Sequence, residues 1–427
     1  MKKKVLILTY YFPPSGGSGV QRWLKFVKYL PQLGFEPIVL TVDEKYASYP
    51  QIDESLCADV PENVRVIRTK SKEVLRFYKR VSPSGELPHT GFANEKSPNL
   101  LQRFSRFIRG NFFLPDPRKG WNKYALREAS RLIEEEGIET VITTSPPHST
   151  QLIGLELKRR YPHIKWVADL RDPWTDIYYN KELYQTSPAR KKNAEYERRV
   201  LEAADAIVTV SRECERNFSS KTKQLLPISV IPNGYDPDDF AAFSTASADA
   251  KTRDKFTISY VGALSPVYEI ETFCRGVKRL TPEQKSRLRL RFVGGAHEAA
   301  KAEIEKLGVE TEWVGYVSHA EAVKYMVDSD LLLLLLPNQT ENKGIVTGKV
   351  FEYMASGNPI LMIGFSDSDA ANVIAPYQQG GVFNFGEFKA VTEYISNAMQ
   401  TLPEVKKEAA GIYSRSQLAS QMAEIIL

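Results

Sequence analysis

The chain alternates between short, almost wholly apolar runs and longer stretches in which apolar residues return every three or four positions. "KKVLILTYY" stops at a Pro/Gly turn, and "GVQRWLKFVKYLPQLG" then places Val20, Leu24, Val27 and Leu30 at helical spacing before the apolar "EPIVLTV". Such runs suit strands buried on both faces of a parallel sheet, so the pattern predicts a β-α-β unit. An irregular basic region follows. Beyond it, strands are predicted at "ETVITTSPP", "KWVADLRDPW", "DAIVTVS" and "PISVIPNGYD", with helices at about 149–160 and 190–203.

The polar stretch 235–255 is poor in large aliphatic residues and reads as a linker. The alternation then restarts with strands at "FTISYVGAL", "RLRLRFVGGA", "TEWVGYV", "DLLLLLLP" and "PILMIGF". Helices are expected at about 269–280, 298–307, 319–328 and 348–356, and a last one at "SRSQLASQMAEIIL". Two such blocks imply an α/β fold of two doubly wound domains facing a central cleft, with ligands at the carboxyl ends of the strands. The expected domains are 1–234 and 256–407, with a closing helical segment at about 408–427.

Composition narrows the function. A length of 427 residues favours two domains, and 42% hydrophobic with 26% charged residues describes a soluble globular protein. A net charge of +5 over this length gives no case for nucleic acid. Cys57, Cys214 and Cys274 are too scattered for a disulfide framework or a zinc site. The first apolar run is too short for a signal peptide, and the leucine run falls far short of the ~20 residues that cross a bilayer. A cytoplasmic location is expected.

Candidate chemistry gathers at predicted strand ends. "PPSGGSGVQR" turns the first strand into the first helix, where Gly16, Gly17 and Gly19 would let an anion approach the helix start; Arg22 stands where a dinucleotide fingerprint has its third glycine. The alternative for this loop is a tight turn with no ligand. "VADLRDPW" sets Asp169, Arg171 and Asp172 together, either as an ion pair that pins a loop or as groups addressing a sugar hydroxyl or leaving group. His148 in "TSPPHS" can cap a helix or donate to substrate.

In "GIVTGKVFEYMASGNPIL", Val346, Thr347, Gly348 and Lys349 stand at a helix start suited to phosphate. Glu352 falls on the same face as Lys349 and fits a ribose diol; the alternative is a surface pair. Finally, residues 99–123 are basic and aromatic: Leu101, Phe104 and Ile108 share a helical face, Arg103, Arg106 and Arg109 lie off it, and Phe112, Phe113 and Trp121 follow. Such a segment can lie on an anionic membrane or pack as a core-facing helix.

The ordered set "YYFPPSGGSGVQRWLKF", "VADLRDPW", "ADAIVTVS", "VIPNGYD", "YVGAL", "RFVGG", "WVGYV" and "GKVFEYMASGNPIL" resembles the GT-B glycosyltransferases, specifically the retaining family 4, over nearly the whole chain. The resemblance implies two Rossmann-like domains, a nucleotide-sugar donor held mainly by the second, and a C-terminal helix packing back on the first. It implies no metal or other cofactor, so the two Asp-Ser-Asp triplets at 328–330 and 367–369 are not read as metal ligands. The expected acceptor is a glycan or, where residues 99–123 lie on a membrane, a lipid-linked one, as in surface-polysaccharide assembly.

Residue by residue, the resemblance puts Glu352 on the ribose, and Gly17 and Gly19 near the donor diphosphate and acceptor. The turns with Gly262, Ala263, Gly294, Val314, Gly315 and Tyr316 match walls of the nucleotide pocket. Asp169, Arg171, Asp172 and Lys349 are the catalytic candidates; Gly16, His148 and Asn233 are acceptor-side candidates. Three positions depart from the family pattern. Gly344 stands where the first of two glutamates is usual, "LSPVYE" lacks the usual basic pair and leaves Lys349 and Arg22 for the diphosphate, and Arg171 takes the place of a histidine. A sugar-nucleotide 2-epimerase or a non-catalytic subunit of the same fold are the alternatives.

Overall fold

The computed structural model describes residues 2–72, 100–223, 227–244, 254–339 and 343–427. They form two compact units, Met1–Pro232 with Leu418–Leu427, and Asn233–Gln417. In the first, strands β1 (Lys3–Leu8), β2 (Phe35–Val42), β3 (Arg65–Thr69), β4 (Thr140–Ser145), β5 (Lys165–Leu170), β6 (Ala206–Thr209) and β7 (Ile228–Val230) pair in the order β3-β2-β1-β4-β5-β6-β7. In the second, β8 (Phe256–Val261), β9 (Leu288–Val293), β10 (Glu310–Gly315), β11 (Leu331–Leu335), β12 (Ile360–Ile363) and β13 (Val382–Phe383) pair in the order β10-β9-β8-β11-β12-β13. Both sheets are parallel throughout the described residues.

The apolar runs become strands because each has two faces to bury. In β1, Val5 and Ile7 enter one core cluster while Leu6 and Leu8 enter another on the opposite face. β11 repeats this: Leu331, Leu333 and Leu335 pack on one side, and Leu332 and Leu334 on the other. Burying one leucine stabilises by roughly 1.5–3 kcal/mol, so a run of them anchors the centre of its sheet. On the β1 face, the helix Ser18–Tyr29 packs Val20, Trp23, Leu24 and Val27 with Leu418, Ala419, Met422 and Ile426 of the last helix, Arg415–Ile426.

The predicted helix at 149–160 is Ser149–Arg160, and that near 190–203 runs from Ser187 to Ala203. The helices Arg212–Ser219, Asp369–Ile374 and Phe388–Ala398 lie outside the pattern reading, and three further features differ from it. The "irregular" region after β2 contains β3 and the helices Leu100–Phe112 and Asn122–Glu136; β3 was hidden by two arginines in five residues. β13 is two residues long and carries no periodic signal. Within the predicted linker, Tyr235 forms an isolated parallel bridge with Ser414, and Pro237–Phe240 is a 3-10 turn capped by Asp236, so 235–244 is built structure; 245–253 lie outside the described residues.

Each sheet reverses its winding beside its first strand: between β1 and β4 in the first unit, and between β8 and β11 in the second. Connections leave a doubly wound sheet in opposite directions at such a point, which opens a crevice at the carboxyl ends of those strands. The glycine loop and His148 follow β1 and β4. The Gly262 turn and the segment leading to Lys349 follow β8 and β11.

Candidate functional site

In the first unit, the charged residues at the strand ends are engaged by the protein itself. The Arg22 side chain is fully buried; its Nε and Nη2 donate to the Asp169 carboxylate, the latter at 3.0 Å, and Nη1 donates to the carbonyls of Ile231 at 2.8 Å and Pro232 at 3.0 Å. Asp169 also accepts from Trp23 Nε1 and Thr144 Oγ1, each at 2.7 Å. A buried ion pair persists only where further hydrogen bonds satisfy it, and this one is satisfied on both sides.

Arg171 is likewise spent. Its guanidinium donates to the carbonyls of Ser145 (3.0 Å), Gly19 (2.6 Å) and Pro146 (3.1 Å), tying the end of β4 to the glycine loop. This is the loop-pinning arrangement. Both guanidinium groups, of Arg22 and of Arg171, thus direct their hydrogen bonds to other groups of the first unit. Asp172 is half-buried outside that network, and burial pushes its carboxyl up. Gly17 is the N-cap residue of the first helix at φ 94°, with no side-chain cap, so the helix start is open. Gly16 donates its N–H to the Gln51 carbonyl.

His148 is different. It is 7% exposed and lies parallel to the Trp174 indole, ring centroids 4.8 Å apart, yet neither ring nitrogen has a hydrogen-bond partner. Burial, then the charges of Arg171 and Lys221, hold its pKa down to about 3, so the ring is neutral. A buried polar atom left unpaired costs about 1–3 kcal/mol.

The second unit holds the predicted donor residues from Gly262 to Glu352, while Gly17, Gly19 and Arg22 belong to the first. The turns after β8, β9 and β10 are stitched through backbone: Gly262 N–H donates to the Val293 carbonyl at 2.7 Å and Gly294 N–H to the Gly315 carbonyl at 2.6 Å. Gly262 (φ 125°) and Gly294 (φ 116°) have to be glycines here, since a Cβ at Gly294 would lie 2.6 Å from the Gly262 oxygen. Ala263 and Tyr316 are exposed on these turns, and Val314 is half-buried.

Against that wall lies Lys349. The helix Gly348–Ser356 begins after Thr347, whose Oγ1 is buried without a partner and does not cap it, and no acidic residue sits in its first turn. The Val350 N–H turns back to the Thr347 carbonyl, while the Gly348 and Lys349 N–H groups and the helix dipole remain available to an anion. Val346 is buried beneath. Lys349 reaches over Gly262, where a Cβ would stand 2.4 Å from its Cε; its ammonium donates to Tyr260 Oη at 2.7 Å and lies 4.2 Å and 5.4 Å from the ring centroids of Tyr260 and Tyr268. Desolvation pushes its pKa down to about 7, against the pull of Glu352. Glu352, one turn on and partly exposed, has its carboxyl pushed up by burial.

The sequence reading missed Tyr260, Tyr268, His319 and Asp239. Tyr268 sits inside "LSPVYE", the segment without the usual basic pair, and the cation stacked on it arrives from Lys349, on the helix start that follows β11. Asn233 is the first residue of the second unit and is half-buried. Gly344 lies in a turn before the helix, with no carboxylate in its place.

In the basic aromatic segment, Leu100, Phe104 and Phe112 are exposed, and Arg103 lies over Tyr184, 5.6 Å from its ring centroid. Arg106 departs from the expected solvent-facing set. It is buried and paired with Glu182 at 2.8 Å, and Trp121 is fully buried. Among the described residues no helix is long and apolar enough to cross a membrane, and no group of three or more His, Cys, Asp or Glu residues could hold a metal.

Comparison with known proteins agrees with this layout. Sucrose-phosphate synthase from Thermosynechococcus elongatus is 14% identical, with 99% of this chain and 98% of that chain covered and a TM-score of 0.63. Anabaena HepE in complex with UDP and glucose is 13% identical over 99% and 98%, TM-score 0.59. WaaG, a glycosyltransferase involved in lipopolysaccharide biosynthesis, is 15% identical over 99% and 99%, TM-score 0.58. No curated protein matches the chain.

The architecture is GT-B: two Rossmann-like units, each with a doubly wound parallel sheet. Residues 87–239 match Glycosyltransferase Family 4, and residues 245–411 match Glycosyl transferases group 1. The chain belongs to the GT-B glycosyltransferases.

Proposed function

We propose that this chain transfers a sugar from a nucleotide-sugar donor, UDP- or GDP-linked, to a glycan or lipid-linked acceptor, with retention and without a metal, in surface-polysaccharide or glycoconjugate synthesis. The observation that carries the reading is the second unit's winding reversal, where an uncapped helix start, the Lys349 ammonium and Glu352 meet a wall of glycine turns. The complex of HepE with UDP and glucose supports a donor of this class.

In the proposed reaction the bond between the anomeric carbon and the diphosphate oxygen breaks, and its electron pair leaves with the nucleoside diphosphate. Lys349 and the first N–H groups of its helix hold that charge, the task otherwise given to a metal. The acceptor oxygen bonds to the anomeric carbon on the face the diphosphate leaves, and its proton passes to the departing phosphate oxygen. Glu352 accepts the ribose hydroxyls. In the first unit Arg171 and Asp169 act as braces of the glycine loop, while His148, neutral and unpaired, is the group to meet an acceptor hydroxyl. The exposed Leu100, Phe104 and Phe112 beside Arg103 support docking at an anionic membrane surface, where a lipid-linked acceptor would be found.

The test is to incubate the purified chain with nucleotide sugars and follow the anomeric proton by NMR. Retained product, or slow hydrolysis to the retained sugar when acceptor is absent, is expected. Inverted product refutes retention, and an epimerised donor favours the 2-epimerase. Gly344 favours the non-catalytic alternative, which predicts binding with neither transfer nor hydrolysis.

A further inference from the structure

Glu352 is not isolated. After β10 the helix His319–Val327 starts with a reciprocal cap, Ser318 Oγ accepting from Glu321 N–H and the Glu321 carboxylate accepting from Ser318 N–H. The cap fixes the helix start and with it the direction of His319. The imidazole Nε2 lies 3.2 Å from Asp239 Oδ2 and 3.9 Å from Glu352 Oε1. Asp239 is held in turn by the 3-10 turn Pro237–Phe240, which Asp236 caps.

One ring nitrogen thus stands between two carboxylates that would otherwise repel each other, and all three side chains stay partly exposed. Other charges reach Glu352 as well: Arg415 and Lys349 favour its ionised form, and Asp239 opposes it. A carboxylate offers about four lone-pair positions, so one oxygen turned toward His319 leaves enough to accept two hydroxyls.

We propose that His319, backed by Asp239, is a positioning residue that orients the Glu352 carboxylate toward a vicinal diol and so makes the donor site select ribonucleotides over 2′-deoxyribonucleotides. This rests on the reading of Glu352 as the ribose ligand. His319 itself touches no substrate. It acts by restraining the rotamer of Glu352 and by supplying an N–H, or a positive charge, that keeps the carboxyl an acceptor.

The experiment is calorimetric titration of UDP, 2′-deoxy-UDP, GDP and 2′-deoxy-GDP into the wild-type chain and into the Glu352→Ala, His319→Ala, His319→Gln and Asp239→Asn variants. The wild type is expected to prefer one ribonucleotide over its deoxy counterpart by about tenfold, the worth of one good hydrogen bond. That ratio should fall close to one in Glu352→Ala and in His319→Ala, and recover in His319→Gln, which keeps an N–H. A purely structural histidine would lower the melting temperature and leave the ratio intact. Full discrimination in both His319 variants overturns the proposal while leaving Glu352 as the ribose ligand. Absence of discrimination in the wild type, or no binding of any of the four, removes the Glu352 reading and this one with it. If His319→Ala does not fold, Asp239→Asn decides the matter: a ratio that falls toward one supports the proposal, and an unchanged ratio overturns it.

Discussion

The two units place charge at equivalent points of their sheets and use it in opposite ways. At the carboxyl ends of β1, β4 and β5, Arg22, Asp169 and Arg171 are buried with their hydrogen bonds directed to one another and to backbone carbonyls. At the carboxyl ends of β8 and β11, Lys349 has one hydrogen bond, to a tyrosine hydroxyl, and a strongly lowered pKa, and the helix start beside it is uncapped. A satisfied charge holds structure, whereas a desolvated and under-used one gains when an oppositely charged ligand arrives. Sequence cannot distinguish the two, because "LRD" and "TGK" are both basic motifs after a strand.

The comparison breaks most visibly if the first cluster is cut. Arg22→Ala leaves Asp169 buried without its cation and should destabilise the first unit by about 3–5 kcal/mol in urea unfolding. A loss below 1 kcal/mol would show that the pair is not a structural brace. Next in size is Gly262→Ala. Its Cβ meets Lys349 at 2.4 Å on a backbone with φ 125°, so the second unit should lose about 1–3 kcal/mol and donor affinity should fall as Lys349 is displaced.

Lys349 also predicts two pH dependences of opposite sign. Its pKa in the empty folded chain is about 7, below the ordinary lysine value of 10.5. The unfolded chain therefore binds more protons between these limits, and the stability of the empty protein rises with pH over that window. A diphosphate requires the ammonium, so donor affinity should be flat below pH 7 and fall by up to about tenfold per unit above it. Affinity independent of pH from 7 to 9 would place the diphosphate elsewhere. The smallest effect belongs to His148→Phe, which keeps the stack on Trp174 and removes two unpaired nitrogens. Stability should hold or rise by about 1 kcal/mol while transfer to acceptor drops; unchanged transfer would make His148 purely structural.

Much of the fold was legible because strands buried on both faces must be apolar throughout. "KKVLIL" and "LLLLLL" could hardly be anything else, and the helix at Ser149–Arg160 followed from its spacing. β3 was not legible, because it carries Arg65 and Arg68, and an edge strand need bury only part of itself. In the site, Lys349 and Glu352 could be read from their place at a helix start. The tyrosines that desolvate Lys349 and the His319–Asp239 pair could not, since they come from elements about 30 to 110 residues away in sequence and meet only through the parallel winding. The status of Arg22 was hidden for the same reason: its partners, Asp169 and the Ile231 carbonyl, are far along the chain.

The most direct test of the donor site is calorimetric titration of UDP and GDP into the wild-type chain and Lys349→Met at pH 6.5, with thermal unfolding of both proteins as a control. The account predicts that one diphosphate binds the wild type and that the variant, equally folded, binds it roughly 10- to 100-fold more weakly, the loss of one charge-assisted hydrogen bond of about 1.5–3 kcal/mol. Equal affinity in two equally folded proteins would contradict it.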